Sequence, residues 1–130
     1  MNNLNYYIQE KLKINSKSKI LQYKYFPEDN YELRDIIETL LKERGENANL
    51  NDIDTSKIKY MHNLFCDLNP YNIDISKWDV SNVVDMRCMF LNCRFLNCDL
   101  NNWNVRKDVS MGNMFLGTPL EKNPPKWYHE

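Results

Sequence analysis

From about residue 47 onward the chain repeats itself every 25 residues without a gap. Met61, Met86 and Met111 share one register, and Phe65, Phe90 and Phe115 another. Leu64, Met89 and Met114 keep an apolar residue just before each phenylalanine, while Leu50, Ile75 and Leu100 mark an earlier point of the unit. Ile53, Trp78, Trp103 and Tyr128 add a further register. Self-similarity at this period means stacked supersecondary units, none of which buries its apolar face alone. A chain of 130 residues then forms one small domain, a capped stack and not a globule around a central core.

Two shorter periods run inside each unit. Asn72-Ile73-Asp74-Ile75-Ser76 and Asn97-Cys98-Asp99-Leu100-Asn101 alternate polar and apolar residues, with Asn47-Ala48-Asn49-Leu50-Asn51 as a weaker copy. That alternation predicts strands, with Ala48, Ile73 and Cys98 above Leu50, Ile75 and Leu100 facing inward. Met86, Met89 and Phe90 follow at helical spacing and predict a helical turn. The expected fold class is therefore α/β, a short solenoid of about three coils with an N-terminal helical cap.

The flanks read as caps. Residues 1–46 divide into an amphipathic helix over about 3–13, a strand over Ile20–Phe26 ended by Pro27, and a second helix over 29–44. In that second helix Leu33, Ile36, Ile37, Leu40 and Leu41 form one apolar stripe. Asp29 or Asn30 caps its start, and Gly45 follows its end. Residues 47–115 are the repeats. Residues 116–130 are a C-terminal cap, because Pro124 and Pro125 fall where a fourth strand would need ladder donors.

Composition closes several other routes. A single alanine argues against an Ala/Leu-rich bundle, and three glycines leave no P-loop or dinucleotide fingerprint. No run approaches the length of a membrane span, and the first residues carry no signal-peptide pattern, so a cytoplasmic location is expected. Net charge is -1, which argues against a generally basic nucleic-acid coat. Residues 1–26 are nevertheless locally basic, with Lys11, Lys13, Lys17, Lys19 and Lys24 against Glu10 alone.

Residues 74–86, Asp-Ile-Ser-Lys-Trp-Asp-Val-Ser-Asn-Val-Val-Asp-Met, followed by Met89-Phe90, resemble the BspA-like leucine-rich repeat, also called the bacterial surface protein repeat. The copy from Asp99 to Phe115 is looser and carries Asp108 where the pattern has an apolar residue, with Val109 one place later. The copy from Asn49 to Phe65 lacks the tryptophan. The lead-in of Pro27, helix and Gly45 is similar to short members from gut bacteria and their phages. The resemblance implies a leucine-rich-repeat-like solenoid. Its members mostly bind at surfaces in adhesion or host contact. Without an export signal, this chain fits an intracellular interaction protein better, bacterial or phage-encoded.

Chemistry-bearing patterns are sparse. His62 and His129 have no sequence cue as a base, and the serines lie in no nucleophile-elbow context, so no catalytic residue and no enzyme activity are expected. Cys66, Cys88, Cys93 and Cys98 are not spaced for zinc and read as free, mostly buried thiols. The numerous Asp residues match no EF-hand and suit turns, so neither metal nor cofactor is expected. Binding then falls to the outward rows, Asn72, Asp74 and Ser76 with Asn97, Asp99 and Asn101, and to the variable positions Tyr60, His62, Arg87, Arg94 and Arg106. The leading reading is a non-catalytic protein-protein interaction module, with an unidentified protein partner and a monomeric state. One alternative is nucleic-acid binding through the N-terminal lysines and tyrosines. A second is a structural or self-associating subunit of a larger assembly.

Overall fold

The computed structural model describes residues 23–130. It holds one α-helix, α1 (Asn30–Arg44), and two 3-10 turns, Gly45–Asn47 and Pro119–Glu121. No strand or sheet occurs among the described residues, so the expected α/β leucine-rich-repeat-like solenoid is corrected. Four isolated parallel bridges stand where ladders were expected: Tyr25↔Ile53, Asn49↔Asp74, Tyr60↔Asp85 and Asp85↔Ser110. The basic residues Lys11, Lys13, Lys17 and Lys19 and the 3–13 helix lie outside the described residues. Of the Ile20–Phe26 strand, the described part contributes only the bridge at Tyr25.

The strands fail for a local reason. Each alternating stretch meets an Asp or Asn side chain that accepts the backbone N–H two residues on, and so bends the chain. Asn51 N donates to Asn49 Oδ1 at 2.9 Å, and Ser76 N to Asp74 Oδ1 at 3.0 Å. Ser81 N to Asp79 Oδ1 and Asn101 N to Asp99 Oδ1 repeat this at 3.0 Å. Such side-chain acceptors compete with inter-strand pairing. About three extended residues remain between bends, which is room for one bridge and no ladder. The helical turn expected at Met86–Phe90 is likewise a run of hydrogen-bonded turns.

The 25-residue period is nonetheless physical. Met61, Met86 and Met111, Phe65, Phe90 and Phe115, and Leu64, Met89 and Met114 are all buried. Phe65 stacks on Phe90 at 5.2 Å between ring centroids, and Phe90 on Phe115 at 5.8 Å. The indoles of Trp78 and Trp103 lie 6.5 Å apart and nearly parallel. Trp78 Nε1 donates to Leu50 O and Trp103 Nε1 to Ile75 O, both at 2.9 Å. The next indole is Trp127, not the Tyr128 that strict spacing predicts. Trp127 Nε1 reaches Leu100 O at 2.7 Å, and its ring stacks on Trp103 at 5.9 Å. Tyr128 instead meets Phe115 edge-on at 5.1 Å. At the looser copy the backbone also slips by one: Val84 N donates to Lys59 O, but Ser110 N to Val84 O. Val109 takes the buried place, and Asp108 stays outside.

Helix α1 packs on this stack through Leu33, Ile37 and Leu40. Asp29 caps it, accepting from Glu32 N at 2.9 Å, and Gly45 ends it at φ 77° with its N–H on Leu41 O. Arg44 ties the helix end to the first repeat. Its guanidinium makes a two-point contact with the Asp52 carboxylate, 2.8 Å each, and a further bond to Asn49 O at 2.6 Å.

Left-handed backbone also recurs on the period. Asn63, Cys88 and Asn113 have φ of 58°, 56° and 57°, and Asp67, Asn92 and Gly117 have 68°, 61° and 79°. These corners need residues that tolerate positive φ, and Asn does so after Gly. At 117 a Cβ would stand 2.5 Å from Asn92 Oδ1 and 3.1 Å from its Cα, so any side chain there makes Asn92 shift. Cys88 is the misfit of its row. Replacing it as Cys88→Asn should raise stability by about 0.5–1 kcal/mol, seen as a higher Tm in thermal unfolding. A lower Tm would show that packing of the thiol outweighs the backbone gain.

Candidate interaction surface

The expected outward rows are placed as follows. Asn72, Asp74, Asn97, Asp99 and Asn101 are exposed and Ser76 half-buried. Much of their bonding capacity is spent inside the stack. Asn72 Nδ2 donates to Asn47 Oδ1 at 3.2 Å, and Asn97 Nδ2 to Asn72 Oδ1 at 3.4 Å, a side-chain amide ladder across the layers. Ser76 Oγ donates to Asp74 Oδ1 at 2.7 Å, and Asn101 Nδ2 to Asp99 Oδ1 at 3.0 Å. The hydroxyl of Ser76, then Asn51 and the Ser76 N–H, hold the Asp74 carboxyl below the usual range.

The variable positions divide. Tyr60, His62 and Arg87 come together around Asp85, while Arg94 stands exposed elsewhere and Arg106 pairs with Asp108 at 2.9 Å. Asp85 is buried. Its carboxylate accepts from Arg87 Nε at 3.0 Å, Arg87 Nη2 at 2.8 Å and Arg87 N at 3.0 Å. His62 Nδ1 lies 3.7 Å from Asp85 Oδ2, and its ring meets Tyr60 edge-on at 6.4 Å. No hydroxyl or thiol bonds to the His62 ring among the described residues. The group holds the Asp85 carboxylate in place.

A different patch escaped the sequence reading. Tyr71 and Phe95 stack at 5.1 Å while 42% and 48% exposed. They rim a shallow cleft of about 370 Å³ lined also by Leu41, Leu68 and Pro70. Their positions are 24 apart, so comparison in a strict 25-residue register sets each against a different partner. The available signal was an aromatic residue outside the Met, Phe and Trp registers, with Tyr71 set against Leu96 and Phe95 against Pro70.

A larger open cleft, about 720 Å³, is lined by Tyr23, Lys24, Arg44, Asn49, Asn51, Asp52 and Lys77. Arg44 is committed to Asp52, which leaves Lys24 and Lys77 as its unpaired cations among the described residues. Of the thiols, Cys93 is buried and the other three half-buried, all free. Burial pushes Cys93 and Cys98 up to about 12, so neither is a thiolate nucleophile near neutral pH. Among the described residues no three His, Cys, Asp or Glu side chains group to hold a metal ion.

A family model described as Mycoplasma protein of unknown function, DUF285, matches residues 31–127. The chain belongs to the DUF285 family. The match takes in most of α1, the repeat registers up to Trp127, the Asp85 group and the Tyr71–Phe95 pair. Tyr23 and Lys24 lie outside the DUF285 match. Neither a curated protein nor a solved structure matches the chain.

The Asp85 group gives a pH signature. Its carboxyl is lowered from 3.8, first by the Arg87 side-chain bonds and against some burial. A depressed folded value means stability present above the ordinary Asp range and lost as pH falls through the folded value. Asp85→Asn keeps a turn acceptor but loses the ion pair. It should cost about 1 kcal/mol at pH 7, with the Tm gap to the parent chain narrowing as the pH falls below the ordinary Asp value of 3.8 toward the lower folded value. A gap independent of pH would assign the loss to packing.

Proposed function

We propose that this DUF285 protein is a non-catalytic protein-binding module whose contact face centres on Tyr71 and Phe95. The stacked, exposed pair carries the reading. Exposed aromatics over a shallow cleft of mixed lining, here with Glu46 and Asn69 beside Leu41 and Leu68, are the usual anchors of protein interfaces. The BspA-like resemblance of residues 74–90 adds to this reading, since such repeats serve in binding. The lead-in similarity to phage and gut-bacterial members makes a host protein the fitting partner. A cytoplasmic site of action is part of the proposal. It draws on there being no helix among the described residues long and apolar enough to cross a membrane.

A photo-crosslinking side chain at position 95 should trap one defined protein in cells. That protein, purified, should bind the parent chain and bind Tyr71→Ser/Phe95→Ser at least about tenfold more weakly, with Tm unchanged. Equal affinity for the two chains would overturn the reading.

The cleft at Lys24 and Lys77 favours a second reading, contact with a nucleic-acid backbone. Its signature is oligonucleotide affinity that falls steeply with salt. No binding at low salt removes it.

A further inference from the structure

Backbone donors and acceptors are left over at opposite edges of the stack. Met61 N bonds Asp85 O at 2.8 Å, and Met86 N bonds Ser110 O at 2.7 Å. Asn63 N meets Arg87 O and Cys88 N meets Gly112 O, both at 3.0 Å. Phe65 N meets Met89 O at 2.9 Å, and Phe90 N meets Met114 O at 3.1 Å. The third set, the N–H groups of Met111, Asn113 and Phe115, has no acceptor among the described residues. The neighbouring place is closed: Asn92 N uses Leu116 O, and Gly117 N uses Glu121 Oε2 at 3.2 Å.

The other edge is the converse. The carbonyls equivalent to those of Tyr60 and His62 accept in both later repeats, yet Tyr60 O and His62 O accept from no described residue. Leu64 O is taken by Arg34 Nη1 at 3.2 Å. One edge thus offers donors at two-residue spacing, and the other offers acceptors at the same spacing. The donor edge borders a cleft of about 440 Å³ with Glu121 and Glu130, and the acceptor edge one of about 200 Å³ with Arg34, which pairs with Glu38 at 3.2 Å, and His62, which faces Asp85. His129 is the one basic group in the donor-edge cleft.

We propose that the Met111–Phe115 edge binds the Tyr60–His62 edge of a second copy of this chain, extending the 25-residue stacking from one molecule to the next. The contact is heterologous. Two donor edges leave each other unpaired, so a closed two-fold dimer does not satisfy them, and head-to-tail addition does. Arg34 already occupies the third acceptor. Only two of the three backbone bonds form, and the association is weak, with a dissociation constant on the order of 1 mM. The surface is separate from Tyr71 and Phe95.

The test uses the parent chain and Tyr71→Ser/Phe95→Ser in parallel. In sedimentation from about 10 µM to about 1 mM, the weight-average mass of both should rise above 15.7 kDa. On dilution from the concentrated sample, NMR should show amide shifts at Met111, Asn113 and Phe115 and carbonyl shifts at Tyr60 and His62. A mass constant at 15.7 kDa throughout would overturn the proposal. So would association whose shifts lie at residues 71 and 95 and vanish in the double variant.

Discussion

An indole N–H inside a packed stack has to find an acceptor, and here each one finds the carbonyl of the layer before it. Trp78, Trp103 and Trp127 bond Leu50, Ile75 and Leu100 in turn. The bond couples the large side chain of one repeat to the backbone of its predecessor, so ring stacking and backbone bridging share one spacing. Few regular elements are then needed. Turns, single bridges and a ladder of rings give the chain its order, and α1 covers one side of it. The tolerance of the arrangement is visible at Trp127. The chain gives up one residue of register to keep the indole bond, and Tyr128 packs on Phe115 instead.

How much of this was legible in the sequence depends on which force set each feature. The buried registers of Met, Phe, Leu and Trp were readable because burial recurs with the period, and α1 because its stripe, cap and Gly45 agree. Strands were misread because polar–apolar alternation is shared by two structures. In Asp74-Ile75-Ser76 it marks a buried Ile75 between a turn-forming carboxylate and its donor, not a ladder. The position of Trp127 depends on a bond to Leu100 O that no spacing rule contains. Tyr71 and Phe95 were hidden because their contact is made between two registers.

The surface follows from what the interior consumes. Most exposed polar rows are tied to their neighbours: the Asn47–Asn72–Asn97 amides to one another, Asp85 to Arg87, Arg44 to Asp52. Groups already satisfied add little to binding. Among the described residues the uncommitted groups include an aromatic pair, two lysines in a cleft, and short strips of backbone at the two edges.

The left-handed corners bear on the unfolded chain as well. Among the described residues, four of the six non-glycine residues at positive φ are asparagines, in a sequence with nineteen asparagines and three glycines. A glycine at such a corner fits without strain but roams widely once the chain opens, so folding must confine it from many states. Asparagine reaches the same corner from a smaller set. The denatured ensemble is thereby narrowed at every layer, and part of the fold's cooperativity is written into the conformations that the opened chain no longer visits.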